Sequence, residues 1–481
     1  MSRSSRAARG VFGTIALLSA AATAKSTTPL ATSPGDLTPP VIKVIQAAGD
    51  TAPGLVFVGP KYTTATSGVQ GPEIVDDKGR PVFFHALAGK NQAADFHVQT
   101  YRGEPVLTWS EGQGLGGVQT TPTVDYIVDR SYHVVAEVRA GNGLNADSHE
   151  FKLTKEGTAL ITVYHPVPYD LSPFGGPKDG TVVDGIVQEI DVATGRVLFE
   201  WHSLDHVSID ESEVAVPTDT STQPFDYFHV NGISVNTDGN LVVSARETWT
   251  IYEIDRHTGA VRFRLGGKKS NFALGEGVAF AWQHDPEPVD ANTIRIFDNE
   301  AAPAVLPASR VIWVHRDAAS HTATLSRFIE HPDAISAPSQ GNSQALPNGD
   351  TFVGFGQTGR FSEFNEAGDL VFDASVPDGY DTYRAYRKVW HARPDFPPTA
   401  TATRNADGSV TVHAIWNGAT DIARWIVVGG ARSPQLWPVG SGDWNGLDTA
   451  LTLHTNVKSV AVVAQDALGR IVGRSQPVAV E

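Results

Sequence analysis

Glu189-Ile-Asp-Val-Ala-Thr-Gly-Arg-Val-Leu-Phe199 and Glu253-Ile-Asp-Arg-His-Thr-Gly-Ala-Val-Arg-Phe263 are two copies of one pattern. A short strand-like run ends in Asp, a Gly follows four residues later, and a second apolar run starts within two residues of it. Alternation with period two reads as strand, and the Gly supplies the positive φ of a tight turn, so each copy is a hairpin. Looser copies begin at Glu73, Tyr126, Val311 and Glu363. Six copies at roughly 50 to 65 residues apart give one four-stranded unit each. The expected fold is therefore all-β, a six-bladed β-propeller.

A second hairpin precedes most copies, and its first strand carries the chemistry. These strands begin at Phe96-His97, Ser148-His149, Phe228-His229-Val-Asn231 and Gln283-His284-Asp285. The fifth, Gly341-Asn342-Ser-Gln, has Asn where the others have His. First strands of propeller blades line the central axis. Four histidines spaced 52, 80 and 55 residues apart should thus meet in one funnel. Strand alternation is expected to turn Glu150 and Asp285 away from it. For each histidine taken alone, a hydrogen-bonded structural role is the competing reading.

Composition bounds the rest. The 481 residues hold 37 basic and 53 acidic side chains, a formal charge of −16, which argues against a nucleic-acid or anionic-membrane partner. With no cysteine, disulfides, thiolate metal sites and cysteine catalysis are excluded. Residues 1–24 read as a signal peptide, with Arg3, Arg6 and Arg9 before an apolar stretch and Ala22-Thr-Ala24 at its end. A secreted or periplasmic chain without a membrane span in its mature form follows. Residues 25–49 read as a flexible lead-in and 50–394 as the propeller. After the Pro-rich joint at Arg393-Pro-Asp-Phe-Pro-Pro, residues 395–481 read as a small immunoglobulin-like or fibronectin-type sandwich.

Histidines with an Arg, an Asn and few carboxylates describe an anion site. Arg246 sits on the strand after His229, and its guanidinium can hold two oxygens of a sulfate or phosphate. Asn231 shares a strand face with His229. A neutral His is a competent nucleophile or acid–base near pH 7, which suits transfer of an SO3 or PO3 unit. Converging histidines also make a metal cage, although no His-x-His or Glu-x-x-His spacing supports one.

Asp226-Tyr-Phe-His-Val-Asn-Gly-Ile, Ser244-Ala-Arg-Glu-Thr-Trp, Leu265-Gly-Gly-Lys-Lys-Ser-Asn and Phe280-Ala-Trp-Gln-His-Asp resemble the arylsulfotransferase family, closest to its fungal and actinobacterial branch. Trp201-His-Ser-Leu-Asp-His and Tyr383-Arg-Ala-Tyr are similar to that branch too. The resemblance implies a sulfuryl group moved from one phenol to another through a sulfated histidine, with no nucleotide donor (PAPS), cofactor or metal. It implies His284 as nucleophile, His229 with Asn231 as the His-x-Asn pair, Arg246 as the sulfate-binding Arg, and His149 as a further catalytic His. His97, Lys268 and Asn342 are candidate substrate-binding residues. The chain departs from the family at Gly232, where Ser is common, and in lacking the cysteines of the bacterial enzymes' disulfide. The expected partners are an aryl sulfate donor and a phenolic acceptor. Two other classes stay open: a non-catalytic secreted propeller that binds an anion or a protein, and a quinoprotein-like dehydrogenase, suggested by the turns at Asp191 and Asp255.

Overall fold

The computed structural model describes residue 30, residues 37–63 and 68–113, residue 118, and residues 121–431 and 435–481. The expected signal peptide lies outside the described residues. Within them the chain is all-β, with helix limited to single 3-10 turns. No helix among them is long and apolar enough to cross a membrane.

The repeated Asp-to-Gly signatures form hairpins as expected, and their turns show why. Asp191 Oδ1 accepts the Thr194 N–H at 2.9 Å, and Gly195 has φ +69°. Asp255 Oδ1 accepts the N–H groups of His257 and Thr258 at 3.0 and 2.9 Å, with Gly259 at φ +75°. The carboxylate caps the turn amides and Gly avoids the steric cost of the left-handed residue.

These hairpins are the outer halves of antiparallel sheets. Sheet 1 takes Leu55–Val58, Glu73–Val75 and Pro81–Phe84, and is completed by Ala385–Lys388 from much later in the chain. Sheets 2 to 5 follow in chain order from Gln92–Tyr101, Ala146–Leu153, Val230–Val235 and His284–Pro288 as first strands. Sheet 6 runs from Asn342–Ala345 to Leu370–Ser375 and gains Lys43–Gln46 at its outer edge. That last pairing corrects the flexible lead-in, because residues 43–46 are tied into the sheet.

Buried apolar clusters lie between consecutive sheets, and the last one joins sheet 6 to sheet 1. Phe57 and Phe83 pack with Phe96 and Trp109 across sheets 1 and 2. Trp201 and Val187 pack with Phe228 and Tyr252 across sheets 3 and 4. Phe352 and Phe361 pack with Val56 and Val58, closing the circuit. Burying each such side chain is worth about 1.5–3 kcal/mol.

Side chains of the first strands reinforce the circuit at its centre. Gln99 bonds the backbone of Phe151 and Leu153, and Glu150 accepts the Ile233 N–H. Asn231 donates to the Gln283 carbonyl, Asp285 accepts the Ser343 N–H, and Gln344 grips Arg387 N and O. Each tie satisfies backbone groups that no neighbouring strand reaches.

Residues after the Pro-rich joint form two further sheets. One holds Thr399–Arg404, Val410–Ile415 and Asp448–Leu453, and the other is centred on Arg424–Gly430 and Ser459–Gln465. Val410, Val412, Trp425, Val427 and Val462 make their common core.

Candidate functional site

The first strands that carry histidine are irregular where the histidine stands. Pairing register breaks between Ala94 and His97, Ala146 and Phe151, Val230 and Gly232, and His284 and Glu287. Asp95, His229 and Asp285 take φ of +54°, +55° and +50°, a conformation that non-glycine residues hold only under tertiary constraint. The first strand of sheet 6 pairs without a break, as does Ala385–Lys388. Register breaks re-aim side chains, so simple alternation fails here. Glu150 and Asp285 point inward, both toward Arg384, correcting the expectation that they face away.

Two of the four histidines are in ring contact, and a third, His284, stands near them. The rings of His149 and His229 stand edge to face with centroids 4.9 Å apart, and both rings contact Tyr164. His149 also meets Tyr383 edge-on at 5.8 Å. His284 is 1% exposed, and the charges of Arg246, His149 and His229 lie close enough to bear on its ionisation. His97 is apart from the group. It packs on Tyr386 at 4.2 Å, and the charged groups bearing on it are Lys388, Arg384, Glu150 and Lys152. The register break before His97 brings Asp95, not His97, onto Arg384.

Hydrogen bonds fix the state of His284. Its Nδ1 faces two acceptors, Asn299 Oδ1 at 2.7 Å and the Trp282 carbonyl at 3.1 Å, so Nδ1 carries the proton. Its Nε2 accepts the Gln340 backbone N–H at 3.1 Å and must be unprotonated. Burial first, and then the Arg246 charge, push its pKa well below the usual imidazole value, against a smaller opposing effect of Asn299. The ring is a neutral imidazole with its lone pair on Nε2.

The other two histidines are oriented by carboxylates that the sequence reading did not single out. His229 Nδ1 bonds Asp226 Oδ2 at 2.6 Å, and His149 Nδ1 bonds Asp147. Burial opposes ionisation of Asp147, but the His149 ring and N–H, with His229 beyond, outweigh it and hold the carboxyl below the ordinary range. The site is thus richer in carboxylates than expected. Asp147 and Asp226 stand two and three residues before their histidines, a spacing that was open to notice.

Arg246 begins the turn after Leu241–Ala245, and its N–H donates to the His229 carbonyl at 2.9 Å. Its guanidinium lies 4.8 Å from the Trp282 ring centroid, pairs with Glu247, and keeps a buried Nε without a partner. Asn231 is fully buried with Oδ1 unpartnered, and the buried Tyr383 hydroxyl also lacks a partner. A cavity of about 620 Å3, lined by Asp226, His229, Glu247 and the loop from Val214 to Phe225, opens beside the cluster.

Two other candidates are engaged elsewhere. Asn342 spends both ends of its amide on Ala385, at 2.9 and 3.0 Å, and serves as a tie between sheets 6 and 1. Lys268 donates to the Ser212 carbonyl and lies 3.9 Å from Glu213, half-exposed. Among the described residues, the cluster whose ligand atoms converge as for a metal is His331, Asp333 and Asp373, where Arg360 already pairs with both carboxylates.

Arg384 was missed altogether as a central residue. Its guanidinium is buried between Asp95 at 3.0 Å and Glu150 at 2.9 Å, with Asp285 at 4.0 Å. Only the resemblance of the run from Tyr383 hinted at it.

No curated protein matches the chain. Three of the solved structures similar to the chain are distant likenesses, at 12% identity or less. A protein of unknown function from Bacteroides caccae is 12% identical, over 69% of this chain and 98% of that one, with a TM-score of 0.42. A protein from Lactobacillus plantarum is 11% identical over 89% and 96%, with a TM-score of 0.37. Virginiamycin B lyase from Staphylococcus aureus is 7% identical over 79% and 94%, with a TM-score of 0.33. Scores this low assign no activity. The arylsulfotransferase (ASST) family model matches residues 97–376, a span that contains His149, His229, Arg246 and His284, and the chain belongs to that family.

Proposed function

We propose that the protein is a PAPS-independent aryl sulfotransferase working by a ping-pong route through a sulfated His284. The observation that carries this is the fixed neutral state of His284, with Nδ1 anchored and the lone pair on Nε2. In the first half-reaction the Gln340 N–H leaves Nε2, whose lone pair attacks the sulfur of an aryl sulfate. The S–O bond to the ring breaks, and the departing phenolate takes a proton from His229, which lines the open cavity. Arg246 and His149 hold the sulfonyl oxygens, where fixed donors stabilise developing charge. Asn231 can add only the second hydrogen of its Nδ2, since the first goes to the Gln283 carbonyl and Oδ1 is an acceptor. In the second half-reaction His229 accepts the proton of an incoming phenol, its oxygen attacks sulfur, and the S–N bond returns its pair to Nε2. Phenols suit this chemistry, since a phenolate with pKa near 10 needs only modest acid assistance.

The six sheets are the blades of a six-bladed propeller spanning 50–394, a reading supported by the circuit of inter-sheet clusters. Residues 395–481 are an immunoglobulin-like sandwich, and residues 1–24 a signal peptide of a secreted protein. The test uses p-nitrophenyl sulfate with and without phenol, following nitrophenolate release and intact mass. Acceptor-dependent release with a transient gain of one SO3, both lost in His284→Ala, is the expected result. Full activity in His284→Ala would sink the nucleophile assignment.

A further inference from the structure

A second cavity, of about 660 Å3, opens among the first strands beyond Arg384. Its walls are reached by stepping along the strands that carry the histidines: Lys152 is three residues past His149, and Glu287 three past His284. At about 3.3 Å per residue this is roughly 10 Å further along each strand. Arg384 and its carboxylates therefore separate it from the His149–His229–His284 group.

Five basic side chains line the cavity against three acidic ones, in a chain whose formal charge is −16. Two of the acids are already committed, Glu150 to Arg384 and Glu287 to Lys152. The Lys388 ammonium forms no ion pair or hydrogen bond with any described residue; the residue's strand pairing with Leu55 is through the backbone. Arg295 is buried with no carboxylate within ion-pair distance among them, and its N–H groups reach only Ser343, at 2.8 and 3.1 Å. His97, 8% exposed, has both ring nitrogens buried and unpartnered. Leaving such groups unsatisfied costs about 1–3 kcal/mol each, a cost that a ligand of opposite charge removes.

We propose that this cavity is a separate oxyanion site, in which Lys388, Arg295 and His97, from sheets 1, 5 and 2, close on a sulfate or phosphate group. Donors converging from three sheets suit oxygens pointing in several directions better than a flat carboxylate. Burial lowers the Lys388 pKa, which marks a cation short of a partner, and a bound oxyanion reverses that effect. The site stands independently of the proposed transfer reaction and needs no turnover.

The test is titration calorimetry of the full chain with sodium sulfate and sodium phosphate at constant ionic strength. Arg246→Gln removes sulfate binding at the histidine group, and Lys388→Gln probes the new cavity. Saturable binding that survives Arg246→Gln and weakens about tenfold or more in Lys388→Gln, as loss of one charge-assisted hydrogen bond predicts, supports the site. Lys388→Arg should keep it, and Lys388→Gln should leave p-nitrophenyl sulfate turnover unchanged. Binding that vanishes in Arg246→Gln alone, or equal affinity in Lys388→Gln and wild type, overturns the proposal. So does the absence of saturable binding of either anion at millimolar concentration.

Discussion

Asn299 is the residue through which the proposed nucleophile is most directly testable without removing it. Its amide makes three hydrogen bonds: Oδ1 accepts from His284 Nδ1 at 2.7 Å, and Nδ2 donates to the Ala337 and Gln340 carbonyls at 3.0 and 2.9 Å. In Asn299→Ala, the Nδ1 proton of His284 keeps only the longer bond to the Trp282 carbonyl at 3.1 Å. Positive charge grows on the ring as Nε2 bonds sulfur, so the lost bond is charge-assisted in the transition state and worth about 1.5–3 kcal/mol. That corresponds to a roughly 10- to 150-fold fall in kcat, with KM little changed because Asn299 does not reach the cavity. The orphaned Ala337 and Gln340 carbonyls destabilise the fold by about 1–3 kcal/mol each. Asn299→Asp separates the two effects. It loses the same two donors, yet still accepts from Nδ1 and supports the developing imidazolium better. Stopped-flow release of nitrophenolate in the first half-reaction, beside urea denaturation, reads both quantities. The expected result is a large rate loss in Asn299→Ala and a retained rate in Asn299→Asp, although the buried carboxylate facing two carbonyls makes the Asp variant the less stable of the two. Equal rate losses that track stability would refute the positioning role.

Three further outcomes follow from the packing and the site. Arg384→Met leaves Asp95 and Glu150 buried without their cation and should cost about 3–5 kcal/mol or more in urea denaturation, part of it recovered in Arg384→Met/Glu150→Gln. Gly232→Ala places a Cβ 2.6 Å from Pro286 Cδ of the next sheet, so a loss of about 1–3 kcal/mol and a lower kcat should appear together, since Pro286 is two residues from His284. Histidine-selective NMR at pH 6, with the His284 signal assigned by its loss in His284→Gln, should show a neutral ring. Its pKa lies below the ordinary 6.5, so the ring stays unprotonated as pH falls past that value, and a protonated signal at pH 6 would contradict the burial argument.

The sheet plan was legible because its signals are local. An Asp that caps turn amides and a Gly at positive φ act within five residues, and they do so at both 191–195 and 255–259. The companion histidine positions were legible for the same reason, as repeats of one slot in successive sheets. What a repeat cannot carry is the local departure from it. Four of the first strands break register at the slot, and each break redirects a different residue. In sheet 2 the break turns Asp95 inward and leaves His97 on the far side of Arg384, so equal sequence position does not mean equal place.

The unbroken strand of sheet 6 makes the point from the other direction. Asn342 occupies the slot, but with regular pairing its amide meets the backbone of Ala385 and closes the circuit of sheets. The same slot therefore serves assembly where the strand is regular and presents a side chain to the centre where it is broken. Strained backbone at His229 and Asp285 is held in place, locally by Asp226 on the His229 ring and from sheet 6 by Ser343 on the Asp285 carboxylate. Residues such as Asn299 and Arg384 matter because they hold such positions, and their partners lie 15 to 289 residues away in the chain. No periodicity marks them. Their importance arises only when the sheets have closed on one another, which is why the fold can be read from repeats while the exact chemistry of its centre depends on where those repeats fail.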